Sequence, residues 1–267
     1  MDRKTFGKFR DLIYAQSGIA LSEGKEALVS ARVAKRLRAL GLSDHESYLR
    51  HVSEDSSGEE LVSLLDTIST NVTNFFREPA HFKFLDHAVR HWVQQGQRRF
   101  RIWCAASSTG EEPYTLAMTM LEATAGSDVD IKILATDIST KVLRIAQAGF
   151  YEERKVQDVP LELRRKYMEK CEQDGQDGYA AKPFMRELIT FRRLNLSQPP
   201  FPMKGPLDAV FCRNVMIYFD NKVRSKLVNE AGRLLKSGGY LMVGHSESLT
   251  GIQSSFQTIQ PAVYVNP

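Results

Sequence analysis

Long apolar runs are missing from this chain. No stretch approaches the ~20 residues that a membrane span requires. The opening residues, MDRKTFGKFRDLIYAQ, hold no apolar block followed by a small-residue cleavage site, so no secretory leader is expected. Cysteine is scarce. Cys104, Cys171 and Cys212 are odd in number and lack CxxC spacing, which argues against a disulfide framework and a zinc site and for a reduced, cytoplasmic protein. Internal repeats and low-complexity tracts are absent too.

What is present is ordinary for a folded soluble protein. The 267 residues are 42% hydrophobic and 25% charged, with a net charge of +4. That length holds one large domain or two modest ones. Residues 1–70 read as helical, because apolar residues recur at three and four spacing and strong strand runs are absent. In KEALVSARVAKRLRAL, Val29, Val33, Leu37 and Leu40 form one stripe. Lys25, Arg32, Lys35 and Arg36 form a basic side of the same helix, and Gly41 supplies a C-cap. By itself such a side is a solvated surface.

From about residue 98 strands and helices alternate. RRFRIWCAAS, DIKILATD, LDAVFCRN and YLMVGHS read as strands. EEPYTLAMTMLEA, STKVLRIAQAG and NKVRSKLVNEAGRLLK read as helices, with Pro113 in a first turn and SGG as a turn before the last strand. This alternation predicts a parallel sheet covered on both faces. Residues 150–196 interrupt it. DGQDG is turn chemistry, and YAAKPFMRELITFRRLNL could form two short antiparallel strands, so a small β-containing insertion is expected.

Open parallel sheets bind ligands beyond the carboxyl ends of their strands. After the first strand come small residues with a single glycine, followed by Glu111 and Glu112. This matches neither GxGxxG nor GxxxxGK[ST]. Two glutamates would repel a pyrophosphate and suit a hydroxylated or cationic ligand; alternatively they complement the helix dipole. Asp137 ends the second strand, where an acid can accept ribose hydroxyls or cap a helix. Arg213 and Asn214 end the third, with Tyr218 close behind. A ribose-binding acid without a phosphate cradle fits S-adenosylmethionine.

Taken together, TNVTNFFRE, ASSTGEEPY, ATDIS, FCRNVMIYFD, LKSGGYL and GHSES resemble, in order and spacing, the bacterial chemotaxis receptor glutamate O-methyltransferases. The resemblance runs nearly end to end. It implies a Rossmann-like, S-adenosylmethionine-dependent α/β methyltransferase domain over residues 76–267 with a β insertion at 150–196. A small all-α domain over residues 1–75 would precede it. The implied product is S-adenosylhomocysteine. Asn71, Thr73 and Arg77 would contact the cofactor from the segment joining the domains, with Phe75 and Phe76 packing that segment. Glu112, or its neighbour Glu111, and Asp137 would hold the amino-acid and ribose parts. Asn195, Leu196, Arg213 and Asn214 would complete the pocket, and Arg77 and Tyr218 would stand nearest the transferred methyl. Lys25, Arg32, Lys35 and Arg36 would dock the acidic methylation helices of chemoreceptors, away from the cofactor. Whether the insertion docks a receptor's C-terminal peptide is left open. A cytoplasmic monomer is expected, without metal, nucleic acid or membrane insertion.

GHSES departs from the GxSxG nucleophile elbow at Ser248, and no histidine follows Ser246, so a serine hydrolase does not fit. His81, His87 and His91 share a helix without an acidic or cysteine partner at ligand spacing and read as surface residues. An RNA methyltransferase lacks a stacking-platform motif. A non-catalytic receptor-binding module would have no use for Arg77, Asp137, Asn214 and Tyr218 together.

Overall fold

The computed structural model describes residues 1–69 and 71–267. Helices α1 (Arg3–Ser17), α2 (Glu26–Leu40), α3 (His45–Glu54) and α4 (Glu59–Ile68) enclose a core of their own, which includes the Val29–Val33–Leu37 stripe. Asp2 and Asp44 cap α1 and α3 by accepting from the amides of Thr5 at 2.9 Å and Ser47 at 2.8 Å. Gly41 closes α2 at φ 67°. An ion pair ties α2 to α4. Arg36 makes two hydrogen bonds to the buried Glu60 carboxylate, which also accepts from Tyr48 Oη at 2.6 Å.

After α5 (Ala80–Gln94) the chain builds β1 (Arg99–Cys104), α6 (Glu111–Ala123), β2 (Asp130–Asp137) and α7 (Thr140–Ala148). A three-stranded insertion follows: β3 (Phe150–Glu152), a 3-10 turn at Glu153–Lys155, α8 (Leu161–Tyr167), β4 (Met168–Gln173) and β5 (Gln176–Ala181). Asp174 and Gly175, at φ 53° and 76°, turn β4 into β5. The chain returns through α9 (Pro183–Arg186) to β6 (Ile189–Arg193), β7 (Leu207–Cys212), α10 (Asn221–Leu234), β8 (Leu235–Val243), β9 (Gln257–Gln260) and β10 (Val263–Val265).

The main sheet runs β6-β2-β1-β7-β8-β10-β9. The first five strands are parallel, while β10 is antiparallel to both β8 and β9. Every residue of β7 is buried, as a central strand covered on both faces requires. Phe100, Ile102 and Cys104 feed one apolar cluster with α5 and α6; Trp103 and Ala105 feed the other with α10. The strand order reverses between β1 and β7, which opens a crevice at their carboxyl ends.

Two expectations are corrected. Ile189–Arg193 pairs parallel with β2 as an edge of the main sheet, so only the first part of YAAKPFMRELITFRRLNL belongs to the small antiparallel sheet. The SGG turn interrupts β8 from within: Leu207 pairs with Leu235 and Ala209 with Tyr240, and the intervening residues bulge. The C-terminal strands β9 and β10 were not anticipated.

Candidate functional site

A cleft of about 380 Å³ opens at the carboxyl ends of β1, β2 and β7, walled on its far side by the helical region. Its floor starts with Ala105, Ala106 and Ser108, whose small side chains leave room for a ligand. Gly110 then turns the chain into α6 at φ 100°. A Cβ there would meet Tyr151 Oη at 2.5 Å and Ala146 Cβ at 2.9 Å, so only glycine fits.

That turn separates the two glutamates. Consecutive helical residues diverge by roughly 100°. Glu111 is fully buried, accepts from Thr109 Oγ1 at 2.6 Å and pairs with Lys155 Nζ of the insertion at 3.0 Å. Glu112 lines the cleft, accepts from Arg213 Nη1 at 2.5 Å and from the Cys104 thiol at 3.2 Å. Burial pushes the Glu112 carboxyl above its usual range, against the pull of Arg213. Of the two readings left open, Glu112 is the cleft residue.

Arg213 is the hub. Its side chain is fully buried, and Nη2 donates to Glu78 Oε2 at 3.0 Å and to the Arg77 carbonyl at 2.5 Å. Glu78 also accepts from Asn214 Nδ2 at 3.3 Å. Asp137 lies across the cleft floor, accepting from the amides of Ser108 at 2.9 Å and Ser139 at 3.0 Å, and burial raises its carboxyl pKa. Ser139, not Asp137, caps α7. Glu78 and Glu112 thus share the Arg213 guanidinium, while Asp137 is held by backbone amides alone.

The loop after β7 is held by Glu247 of GHSES. Its buried carboxylate accepts from the amides of Asn214 (2.7 Å), Gly244 (2.6 Å) and Ile217 (3.2 Å). Asn214 adopts φ 57°, and its Nδ2 lies 2.4 Å from where a Cβ on Gly244 would stand. Sequence reasoning missed both Glu78 and Glu247. Their presence inside quoted motifs was the available signal.

The segment entering α5 forms a second wall. Asn71, Thr73 and Arg77 line the cleft. The Asn71 carbonyl accepts from Ser108 Oγ at 3.1 Å, and Arg77 Nη1 donates to the Val72 carbonyl at 3.0 Å. Phe75 is buried edge-on against Tyr151 at 4.9 Å, in the core of the α/β part; Phe76 packs on Phe82 at 5.8 Å. The third wall is the α1–α2 connection. Ala20 N donates to the Tyr218 carbonyl at 2.8 Å, and Ile19 bridges Phe219. Asn195 and Leu196 line the cleft too, but the Asn195 amide is already engaged, donating to the Gln16 carbonyl at 2.8 Å and accepting from Ser197 N at 3.0 Å.

Two further expectations change. Helix α2 does not lie away from the cleft: Lys25 and Arg32 line it, and Arg32 donates to the Ile68 and Ser69 carbonyls. With Arg36 engaged by Glu60, only Lys25 and Lys35 of the basic set are exposed. His81 is not a surface residue. It is 1% exposed, edge-on to His245 at 4.9 Å, and burial pushes its pKa down to about 4, while His87 and His91 are exposed. Glu78, His81 and His245 place ligand-type atoms within 4.8 Å of one another, but Arg213 already supplies the positive charge to that carboxylate.

Residues 71–265 match the model described as "CheR methyltransferase, SAM binding domain", and residues 4–69 match "CheR methyltransferase, all-alpha domain". Over 260 residues the chain is 37% identical to the "Chemotaxis protein methyltransferase" of Borreliella burgdorferi, covering 95% of this chain and 90% of that one. Identity to a "Probable chemotaxis protein methyltransferase" of Rhizobium etli is 40%, covering 90% and 91%. For "Chemotaxis protein methyltransferase 2" of Pseudomonas aeruginosa it is 36%, covering 98% and 92%. A cleft at the switch point of a parallel sheet, roofed by a four-helix region, and two family models that together span the chain lead to one assignment: this protein belongs to the CheR methyltransferase family, with an all-α region followed by an S-adenosylmethionine-binding domain.

Proposed function

We propose that this chain methylates glutamate γ-carboxylates of chemoreceptors, giving glutamyl methyl esters and S-adenosylhomocysteine. The names of its relatives support the chemotaxis setting. The cleft floor fits the cofactor chemically, because buried carboxylates suit a ligand that carries an ammonium, a sulfonium and ribose hydroxyls. Glu112 would pair with the amino-acid part and Asp137 with the ribose. Asn71, Thr73, Asn195, Leu196 and Asn214 would enclose it, and Arg213 keeps Glu112 in place. When bound, S-adenosylmethionine supplies a methyl group already activated by its sulfonium.

The observation that carries the choice of acceptor is the lining of the cleft. Among the described residues it holds no histidine and no cysteine, its two carboxylates, Glu112 and Asp137, are already engaged by Arg213 and by backbone amides, and it does hold Arg77, Lys25, Arg32 and Tyr218. An acceptor served by such a site arrives without a proton to lose. A glutamate carboxylate, with an ordinary pKa of about 4.3, does so at neutral pH. Arg77 orients it through a planar fork, Tyr218 lines the methyl's path, and both help exclude water from the attacking oxygen. Lys25 and Lys35 draw an acidic receptor surface toward the cleft.

Labelled methyl transfer to a receptor cytoplasmic fragment tests this reading. Base-labile label on the protein supports it; label on RNA, or none, contradicts it. Arg77→Ala should lower turnover at saturating cofactor and receptor at least 100-fold, by about 3 kcal/mol of lost orientation. Tyr218→Phe separates the hydroxyl from the ring. A pulldown with receptor tail peptides asks whether β3 or β4, the outer strands of the insertion, accepts such a peptide.

A further inference from the structure

Three large apolar side chains stand exposed at the cleft mouth. Among the described residues, Val72 is 72% exposed, Ile217 53% and Leu28 43%, and all three line the cleft. Each comes from a different wall: Val72 from the segment before α5, Ile217 from the loop after β7, Leu28 from α2. The deep residues of the same cleft, Glu112, Asp137 and Arg213, are buried. Exposed side chains mark the rim and buried ones the floor, so these three stand on the rim. Lys25, also exposed, adds a positive charge to that rim.

The backbone under this rim is fixed. The Val72 carbonyl is held by Arg77, and the Ile217 amide by Glu247. Rigid support with the apolar side chains left in water is the arrangement of a surface that gains energy when something covers it. Covering it also removes water from the mouth, which a carboxylate nucleophile needs.

We propose that Val72, Ile217 and Leu28 form an apolar collar that reads the residues flanking the acceptor, and that the partner is a protein segment presenting its glutamate between apolar side chains. This rests on the reading of the site as a glutamate methyltransferase. The carboxylate enters toward Arg77 while its apolar neighbours cover the collar, and Lys25 complements the acceptor's charge. Specificity then comes from the flanking side chains as well as from the glutamate.

The test compares the wild type with the Val72→Ser/Ile217→Ser double variant, using a receptor fragment and labelled cofactor. Both side chains are largely exposed, so the fold tolerates the change. The KM for receptor should rise about tenfold, as the loss of two partly buried aliphatic contacts implies. Turnover at saturation and S-adenosylhomocysteine affinity should stay within about twofold, and Val72→Ile/Ile217→Leu should restore the wild-type KM. Replacing the apolar neighbours of the acceptor glutamate by asparagine should raise KM on the wild type and add little on the double variant. An unchanged KM in the double variant would overturn the collar alone. A fall in S-adenosylhomocysteine affinity would overturn it by placing these side chains in the cofactor site. Wild-type dimerisation in sedimentation, lost in the double variant, would assign the collar to a second copy instead. Absence of base-labile label with the wild type would overturn the methyltransferase reading, and the collar with it.

Discussion

Replacing Glu112 by glutamine should weaken cofactor binding while leaving the protein folded, and the neighbouring Glu111→Gln change should do the reverse. Glu112 faces the cleft, with Arg213 at 2.5 Å, and its charge is held there against burial. Neutralising it leaves Arg213 paired with Glu78 at 3.0 Å, so no buried cation is stranded. What is lost is a charge-assisted contact to the ligand's ammonium, roughly 1.5–3 kcal/mol. That corresponds to a 10- to 100-fold rise in Kd, to order of magnitude. Glu111 is fully buried but faces Lys155 and Thr109. Its replacement should lower stability by about 1 kcal/mol and change cofactor affinity less than threefold. Calorimetric titration with S-adenosylhomocysteine reads the first effect and thermal unfolding the second. Wild-type affinity should also fall with pH through the raised pKa of Glu112, because protonation removes the charge, while Glu112→Gln should be flat over that range. If Glu111→Gln weakened binding as much as Glu112→Gln, or if both left it unchanged, the assignment of the cleft floor would be wrong.

Other changes probe other parts of the molecule. Asp137→Ala should reduce S-adenosylhomocysteine affinity by roughly 1.5–3 kcal/mol, measured by calorimetry, through loss of hydrogen bonds to an ionised acceptor. Lys35→Glu should slow receptor methylation and reduce its salt dependence, since attraction between exposed charges is screened over about 8–10 Å. Arg36→Glu should instead destabilise the helical region by roughly 3 kcal/mol in urea unfolding, because it strands the buried Glu60 carboxylate. His81 is neutral in the fold down to about pH 4, whereas in the unfolded chain it takes a proton near 6.5. Its contribution is therefore lost as pH falls from 6.5 toward 4, by about 3 kcal/mol. His81→Leu should flatten that part of the acid limb in denaturant titrations; an unchanged difference from wild type between pH 7 and pH 4 would contradict it.

Strand β2 and its terminal Asp137 were readable because an apolar strand ending in one acid, followed by a capping serine, has few other solutions. The α2 stripe and its Gly41 cap were readable from helical period alone. The edge strand β6 was not. Ile189 and Phe191 are buried while Thr190, Arg192 and Arg193 are exposed, and this alternation is shared by a parallel edge strand and an antiparallel hairpin. His81 left a usable trace: it shares the buried face of α5 with Leu85, Val89 and Trp92, whereas His87 and His91 fall outside it. The pairing of Arg36 with Glu60 left none, because it joins two helices across 24 residues of sequence. Glu247 illustrates the same limit at the site. A carboxylate that collects three backbone amides acts through a fold that only the tertiary structure assembles.

The most direct measurement combines the protein, labelled S-adenosylmethionine, a receptor cytoplasmic fragment and bulk RNA in one reaction. The label released as volatile methanol by mild base is then counted, and the modified residue is mapped by peptide mass. The account predicts base-labile label confined to glutamate side chains of the receptor fragment, abolished when those glutamates are replaced by alanine. Base-stable label, label recovered with RNA, or transfer that survives removal of the glutamates would contradict it.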